Sequence, residues 1–313
     1  MLAYIARRFL QTIPVLIGAT LLLFIAIYVI PGDPVRLMTG QRTMDPTRYQ
    51  EVRKQLDLDK PIYVRYLLYL NKLARGDLGT SYQKGRPVAD ILKEAYPNSI
   101  KLAFAAVAIE AVIGIAAGVA SAVRRYSFVD MLVTLSTSIL VTVPVFWLGM
   151  MLQLLFGVEL GWLPISGYGD GGPFNYVLPA TTLAAVSTAY VARIMRSQML
   201  EVMDQDYIRT AYAKGLPKRT VVYKHALKNA LIPVVTYIGL DLGMLMGGAI
   251  LTETIFSWPG IGYEIYLAIL QRDAPVILGG VTVLVAIYLL INLLVDVSYA
   301  FLDPRIRYGG EGF

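Results

Sequence analysis

The sequence predicts an all-α membrane protein with six transmembrane helices. Hydrophobic residues make up 56% of the 313 residues and charged residues only 16%, well below the ~25% of soluble domains. The apolar residues are clustered into runs long enough to cross ~30 Å of hydrocarbon as helices. Lys and Arg are concentrated in alternate connections between these runs, which is the pattern of cytoplasmic loops.

The predicted spans follow directly from the apolar runs. Arg7 and Arg8 precede the first run, as in a signal peptide. However, the run is longer than a usual signal-peptide core and ends in Pro31-Gly32-Asp33-Pro34 rather than in small residues, so we expect a retained span. The six spans are approximately Phe9–Ile30, Leu102–Val123, Phe128–Phe156, Tyr176–Met195, Ala230–Thr252 and Val276–Leu302.

Loop charges orient the spans. Basic pairs lie before the first span, between the second and third, and after the sixth, and the Arg193–Pro233 stretch between the fourth and fifth spans holds eight Lys or Arg residues. The loop from Gly157 to Asn175 has acidic residues and no basic ones. The positive-inside rule therefore predicts that both termini are cytoplasmic.

The chain is predicted to have three parts. Residues 1–30 form the N-terminal end and first span. Residues 31–98 form an extracytoplasmic helical insertion, in which Pro61 starts a helix and Gly76 ends it. Residues 99–313 form a five-helix core that includes a cytoplasmic loop at 196–229. The insertion is either a cap on the spans or a docking face for a soluble partner.

Several functions are disfavoured by what the sequence lacks. It has no cysteine and a single histidine, His225. It also lacks the G-x-x-x-x-G-K-[ST] phosphate loop and the H-E-x-x-H and G-x-S-x-G catalytic motifs. We therefore predict no catalytic residue, no metal site and no cofactor on this chain. The net charge of +6 lies at membrane boundaries, which favours topology over nucleic-acid binding as its explanation.

Three acidic residues fall inside predicted spans, where ionisable groups are costly and default to functional hypotheses. They are Glu110, Asp241 and Asp296. One interpretation is a translocation path that meets a charged end of the substrate. The other is a buried hydrogen bond between helices or, for Asp296, a side chain that reaches the interface.

Glycines recur at helical spacing in two spans. Gly239, Gly243 and Gly247 share one helix face, and Gly114 and Gly118 repeat the pattern in the second span. Such faces allow helices to approach closely in lipid. They serve either packing within the chain or a surface that lines a pore or faces another subunit. Pro144 and Pro233 are expected to bend helices or to start them.

The basic cytoplasmic loop is predicted to contain two short helices. Asp206 would cap a helix from Tyr207 to Lys214, Gly215 would stop it, and Pro217 would start the next. Two such helices at a sharp angle fit a cleft on a soluble partner. The alternative is an amphipathic helix that lies on anionic lipid.

Motifs along the whole chain resemble those of one transporter family. The chain is similar to the first, B-type permease of bacterial and archaeal ABC importers for dipeptides, oligopeptides and nickel, a type I importer fold. The matching residues are Ile30-Pro31-Gly32-Asp33-Pro34, Gly76-Asp77-Leu78-Gly79 with Ser81 and Pro87-Val88, Asp206-Tyr207-Ile208-Arg209-Thr210-Ala211 with Ala213-Lys214-Gly215, His225-Ala226-Leu227-Lys228-Asn229-Ala230, Thr252-Glu253-Thr254-Ile255-Phe256 with Trp258-Pro259-Gly260, and Asp303-Pro304-Arg305-Ile306-Arg307.

The resemblance implies a multi-pass protein of the cell membrane and a set of partners. These are a homologous second permease, two cytoplasmic ATPases that use ATP and Mg²⁺, and an extracytoplasmic substrate-binding protein. It also implies a coupling motif, in which Arg209-Thr210-Ala211 replaces the family's general Glu-Ala-Ala and Gly215 keeps its place. The residues expected to contact the ATPase are Asp206, Tyr207, Arg209, Thr210, Ala211, Lys214, Gly215 and Leu216.

Other functions remain open at this point. Nickel or another small solute would use the same scaffold. An autonomous proton- or sodium-coupled transporter would rely on the intramembrane acids Glu110, Asp241 and Asp296. A membrane-embedded enzyme is disfavoured because no catalytic constellation is visible.

Overall fold

The computed structural model describes residues 2–29, 35, 45–55, 57–169 and 171–302. Some predicted features lie outside this part of the chain. The motifs at 30–34 and 303–307 do so, and the side chain of Asp296 and the surroundings of Gly247 are not described either.

The described residues form helices joined by loops, in agreement with the all-α prediction. Three π-helical segments interrupt them, at Glu110–Gly114, Gln153–Glu159 and Val221–Ala226. In chain order the α-helices are α1 Leu2–Val29, α2 Pro46–Gln55, α3 Ile62–Ala74, α4 Val88–Ile109, α5 Ile115–Val123, α6 Phe128–Thr142, α7 Val145–Leu152, α8 Pro173–Met203, α9 Asp206–Ala213, α10 Lys218–Thr220, α11 Leu227–Gly248, α12 Ile250–Ile255, α13 Ile261–Gln271 and α14 Ala274–Leu302.

Within the described part of the chain, five helical stretches are long and apolar enough to cross a membrane, and a sixth candidate is broken. The sixth consists of Phe128–Thr142 and Val145–Glu159, which meet at an angle of 107°. Counting this pair as one span gives the predicted six. The five continuous stretches are Arg7–Ile27, Val88–Val123, Pro173–Met203, Lys218–Met246 and Ala274–Leu294.

The break divides the predicted span over Phe128–Phe156 into two helices. Val143 and Pro144 both have extended backbones, with ψ values of 127° and 131°. Proline lacks an N–H and disfavours helical geometry in the residue before it. The sequence prediction that Pro144 bends or starts a helix is therefore confirmed. By contrast, Pro233 lies inside α11 and neither starts nor ends it.

The fifth predicted span, Ala230–Thr252, also differs in its end. Helix α11 stops at Gly248, and α12 begins at Ile250 after Ala249 leaves helical geometry. The prediction followed hydropathy, which continues across this point. The helix stops at two successive glycines, which cost about 1 kcal/mol each in a helix interior relative to alanine.

One compact unit contains residues 1–98 and 259–313. Helix α1 packs against α14 and α3, and Phe24, Tyr66 and Leu278 form a buried cluster there. As predicted, Pro61 directly precedes α3, and Gly76 follows its end with a φ of +76°. A loop is fixed by Asp273, whose carboxylate accepts hydrogen bonds from the Ser81 hydroxyl and from two backbone N–H groups.

The second compact unit contains residues 99–258. Helix α8 lies at its centre and packs against α5, α6, α7 and α11. Buried residues from α5, α8, α9, α11 and the π-helical segment between α10 and α11 form a single apolar cluster. This cluster joins the membrane helices to the short helices that follow α8.

Candidate functional site: a coupling segment and a buried carboxyl pair

The predicted cytoplasmic loop is an ordered helix–turn–helix, which we call the coupling segment, residues 206–226. Its first eight predicted residues, from 196 to 203, instead continue α8. Gly215 ends α9 with a φ of +77°, a left-handed conformation that glycine adopts without steric cost. Pro217 is the residue before α10. The predicted first short helix and the Gly-Leu-Pro break are thus present. The second helix is not a separate short one, because residues from Lys218 continue as one helical stretch to Met246.

Asp206 occupies a different position from the predicted one. It is the first residue of α9, and Gln205 precedes the helix without a side-chain capping bond. Asp206 therefore does not cap the helix. Its negative charge in the first turn still interacts favourably with the helix dipole.

The inner face of α9 is anchored in the apolar cluster of the second unit. Ile208 is fully buried and Ala211 nearly so, and both pack in the cluster that also contains Met199 and Val221. Burial of an isoleucine side chain contributes about 1.5–3 kcal/mol. The sequence analysis did not single out Ile208. The signal was available, because Ile208 and Ala211 are three residues apart and so share one helix face.

The outer face of α9 is exposed and polar. Tyr207 and Tyr212 expose 44% and 41% of their surface. Of the eight residues predicted to contact an ATPase, Ala211 is buried, Leu216 is partly buried, and the exposed ones are Asp206, Tyr207, Arg209, Thr210, Lys214 and Gly215. The segment thus has a continuous polar surface on a helix whose opposite face is buried in the apolar cluster.

Few side-chain contacts hold this surface in place. Asn229 donates a hydrogen bond of 2.9 Å to the Tyr207 hydroxyl. Arg209 and Asp206 form an ion pair at 3.5 Å, with 74% and 98% of their side chains exposed, and such surface pairs contribute little. The exposed face of α9 is therefore held in place mainly by burial of Ile208 and Ala211 on the opposite face.

A buried ion pair lies in the same unit on the helix that leads into the coupling segment. Arg196 of α8 donates to both carboxylate oxygens of Asp130, at 2.7 and 2.9 Å. Asp130 is 5% exposed, and it also accepts hydrogen bonds from the Ser121 hydroxyl and the Tyr126 N–H. The contact joins α5, α6 and α8 through a bidentate geometry that is specific to arginine.

The structure brings together two of the intramembrane acids, Glu110 and Asp241. Glu110 is 0% and Asp241 7% exposed, and their carboxyl groups interact electrostatically. Both oxygens of Glu110 and Oδ2 of Asp241 have no hydrogen-bond partner among the described residues. Ser187 on α8 interacts with Glu110, and Tyr237 on α11 interacts with both acids. We call these four residues the carboxyl cluster.

The sequence analysis named the two acids but missed Ser187 and Tyr237. Tyr237 lies four residues before Asp241 and thus shares its helix face, which was an available signal. Ser187 gave none, because a single serine in an apolar helix is commonplace. The cluster lies about one helical turn from an apolar layer of Ala106, Ala184 and Leu245.

The two glycine faces differ in their surroundings. A Cβ on Gly114 would lie 2.7 Å from Val191 Cγ1, and one on Gly118 would lie 2.5 Å from Met195 Cβ. This face packs against α8, which decides between the two predicted roles in favour of packing within the chain. On α11, Gly243 is buried and Gly239 partly buried, and they flank Asp241.

The Thr252–Phe256 motif and the Trp258 that follows it contribute buried side chains to contacts between elements. Glu253 is 1% exposed and accepts a 2.6 Å hydrogen bond from the Ser99 hydroxyl. Trp258 is fully buried between Tyr168 and Tyr176, with ring centroids at 5.0 and 4.7 Å. The hydrogen bond from Ser99 connects α12 to α4.

Helical stretches long and apolar enough to cross a membrane indicate a protein of the multi-pass membrane class. Residues 112–308 match the family described as "Binding-protein-dependent transport system inner membrane component", and residues 1–103 match the N-terminal domain of the same kind of protein. The chain belongs to this family. It is therefore a transport permease.

Curated relatives match over almost the whole chain. A "Dipeptide transport system permease protein DppB" of Alkalihalophilus pseudofirmus is 43% identical and covers 98% of this chain and 100% of its own length. An "Oligopeptide transport system permease protein AppB" of Bacillus subtilis is 41% identical, with 98% and 100% coverage. The resemblance to B-type permeases of peptide importers is thus confirmed.

A solved structure supports the fold. The MetNI methionine ABC transporter, in inward-facing conformations, is similar with a TM-score of 0.57 and 20% identity, over 68% of this chain and 96% of that one. The type I importer permease fold is therefore shared by the larger part of the chain.

Proposed function

We propose that this chain is the membrane-spanning permease subunit of an ATP-driven importer for di- or oligopeptides. It would form the translocation path together with a homologous second permease. Two cytoplasmic ATPases would use ATP and Mg²⁺, and an extracytoplasmic binding protein would deliver the peptide. No cofactor is expected on this chain. The peptide permeases among its relatives favour peptides over nickel and over an ion-coupled transporter.

The structure of the coupling segment is the main support for this proposal. A polar face on α9 is exposed, while Ile208 on the opposite face is held in the apolar cluster. Because this helix is packed against the membrane helices, a displacement of the helix would be transmitted to them through the packed side chains. A flexible loop would not transmit it. Asp206, Tyr207, Arg209, Thr210, Lys214 and Gly215 would contact the ATPase, which is how ATP binding at a distant site would change the membrane helices.

The proposed topology follows from the basic loops. Both termini and the coupling segment would lie in the cytoplasm, and residues 31–98 would form an extracytoplasmic insertion of a bacterial or archaeal cell-membrane protein. The proposed path would include Glu110, Asp241, Gly239, Gly243 and Gly247.

ATP-dependent uptake of labelled di- and oligopeptides into proteoliposomes tests the proposal. The complex would contain this chain, its companion permease, the ATPases and the binding protein. Gly215→Pro is the informative variant, because proline fixes φ near −65° and cannot adopt the observed +77°. We expect uptake to fail in this variant while the complex still assembles.

Gly85→Pro is the matched control. Gly85 has a φ of +63°, with open space around the Cβ position as at Gly215, but it lies outside the coupling segment. Uptake should be less affected by this substitution than by Gly215→Pro. Ion-driven uptake without ATP would refute an ATP-coupled importer. Equal uptake by wild type and Gly215→Pro would refute coupling through this segment.

A further inference from the structure

The carboxyl cluster places two acidic side chains in a buried part of the second unit. Three carboxyl oxygens of Glu110 and Asp241 have no hydrogen-bond partner among the described residues. Burial of an unsatisfied polar group costs free energy, and burial of an uncompensated charge costs far more. A pair of carboxyl groups kept at membrane depth is therefore expected to interact with a positive group during function.

The residues around the pair suit an organic cation. Ser187 and Tyr237 add two hydroxyl groups, and the Tyr237 ring lies 6.2 Å from the Tyr190 ring. An ammonium group has three N–H donors and no acceptor. It would be satisfied by carboxylate and hydroxyl oxygens and attracted by the faces of aromatic rings.

The cluster has a neighbouring exposed side. Tyr190 of α8 exposes 42% of its surface, whereas its ring partner Tyr237 is partly buried and interacts with both acids. Glu110 is also the first residue of a π-helical segment, a feature that often marks functional sites in helices. The aromatic pair thus connects the buried acids to the surface of α8.

We propose that the carboxyl cluster binds a primary ammonium group of the substrate, such as the N-terminal ammonium of a peptide, during translocation. This inference rests on the proposed function, because it assigns a substrate group to the candidate path. Glu110 and Asp241 provide the charge, Ser187 and Tyr237 provide hydrogen-bond acceptors, and Tyr190 forms the outer wall.

Thermal stability of the purified permease–ATPase complex tests this site directly. The binding protein is omitted so that its own specificity does not enter. The probes are alanyl-alanine, N-acetyl-alanyl-alanine, which lacks the ammonium group, and sodium or potassium chloride at matched ionic strength. We expect only alanyl-alanine to raise the apparent Tm, since a ligand stabilises the state that binds it.

The variants are chosen to keep shape while removing charge. Glu110→Gln and Asp241→Asn should abolish the response to alanyl-alanine, and Glu110→Asp should retain part of it. Glu159→Gln is the control, because Glu159 is an exposed acid in the same unit. Uptake of alanyl-alanine by the complete importer should fall about tenfold in the first two variants, as expected for loss of a hydrogen bond to a charged group.

Several outcomes would overturn the ammonium site. These are an equal response to the acetylated peptide, a response to sodium or potassium alone, no response of the wild type, and unchanged uptake in both charge-removing variants. Failure of the proposed function is distinct, because the wild-type importer would then take up no peptide with ATP. If wild-type uptake persists and the variants match it, only the ammonium site is wrong.

Discussion

Two glycines allow the second membrane helix to lie directly against α8. Gly114 and Gly118 occupy positions where a Cβ would overlap Val191 and Met195. In a membrane, helix association depends on such close packing, because lipid tails are as apolar as side chains. The identity of these two residues therefore determines how tightly the second unit packs.

Gly118→Ala should destabilise the protein by about 1–3 kcal/mol, the usual cost of overpacking. Gly18→Ala is the matched control, since a Cβ at Gly18 meets nothing within 4 Å. Alanine there should be neutral or stabilising by up to about 1 kcal/mol. Thermal unfolding of both variants in detergent measures the difference, and equal Tm values would contradict close packing at Gly118.

Arg196→Ala should be more damaging than Arg193→Ala. Loss of Arg196 leaves the 5% exposed Asp130 without its cation, which we expect to cost near the lower end of about 3–5 kcal/mol, because 30% of the Arg196 side chain is exposed. Arg193 donates to the hydroxyls of Thr137 and Ser138. Similar falls in apparent Tm for both variants would argue against a special role of the ion pair.

At the scale of elements, helix α9 couples an exposed face to a buried one. Ile208→Ala removes the buried anchor and should cost about 2–5 kcal/mol locally. We expect the assembled importer to keep ATP hydrolysis but to lose most peptide uptake, because the helix would no longer transmit its movement. Uptake per ATP hydrolysed is the measurement. Tyr212→Ala, on the exposed face, tests whether any truncation in α9 has this effect.

The elements were predictable where one local signal dominated. Gly215, Pro217, Pro61 and Gly76 were identified correctly because a positive φ or a missing N–H acts within one or two residues. The 107° break after Thr142 was predicted only as a bend or a start at Pro144. The sequence shows that proline disturbs a helix, but the angle depends on the packing of α6 and α7.

The candidate sites show the same limit. The sequence named Glu110 and Asp241 separately, because charge inside an apolar run is visible locally. Their meeting required the π-helical segment Glu110–Gly114 and α11 both to pack against α8, which no spacing rule gives. The spacing of Ile208 and Ala211 indicated a shared helix face, but not that Met199 and Val221 from other elements cover it.

At the scale of the whole molecule, the proposed topology makes a prediction that the absence of cysteine renders easy to test. Single cysteines at Lys84, Arg124 and Lys214 would be labelled in intact cells with a membrane-impermeant maleimide. Only Lys84→Cys should react, because positive-inside orientation places the other two in the cytoplasm. Permeabilised cells provide the control, and reaction of Lys214→Cys in intact cells would invert the topology.

The first compact unit combines the two ends of the chain, and this has a consequence during synthesis. Tyr69 reaches Thr282, 213 residues later, through a 2.7 Å hydrogen bond. At ~5–20 residues per second, a ribosome takes roughly 10–40 s to make that intervening length. The second unit, residues 99–258, is meanwhile complete. The nascent first helix must therefore wait in the membrane without α14, and truncation of the last helix should expose it to quality-control proteolysis.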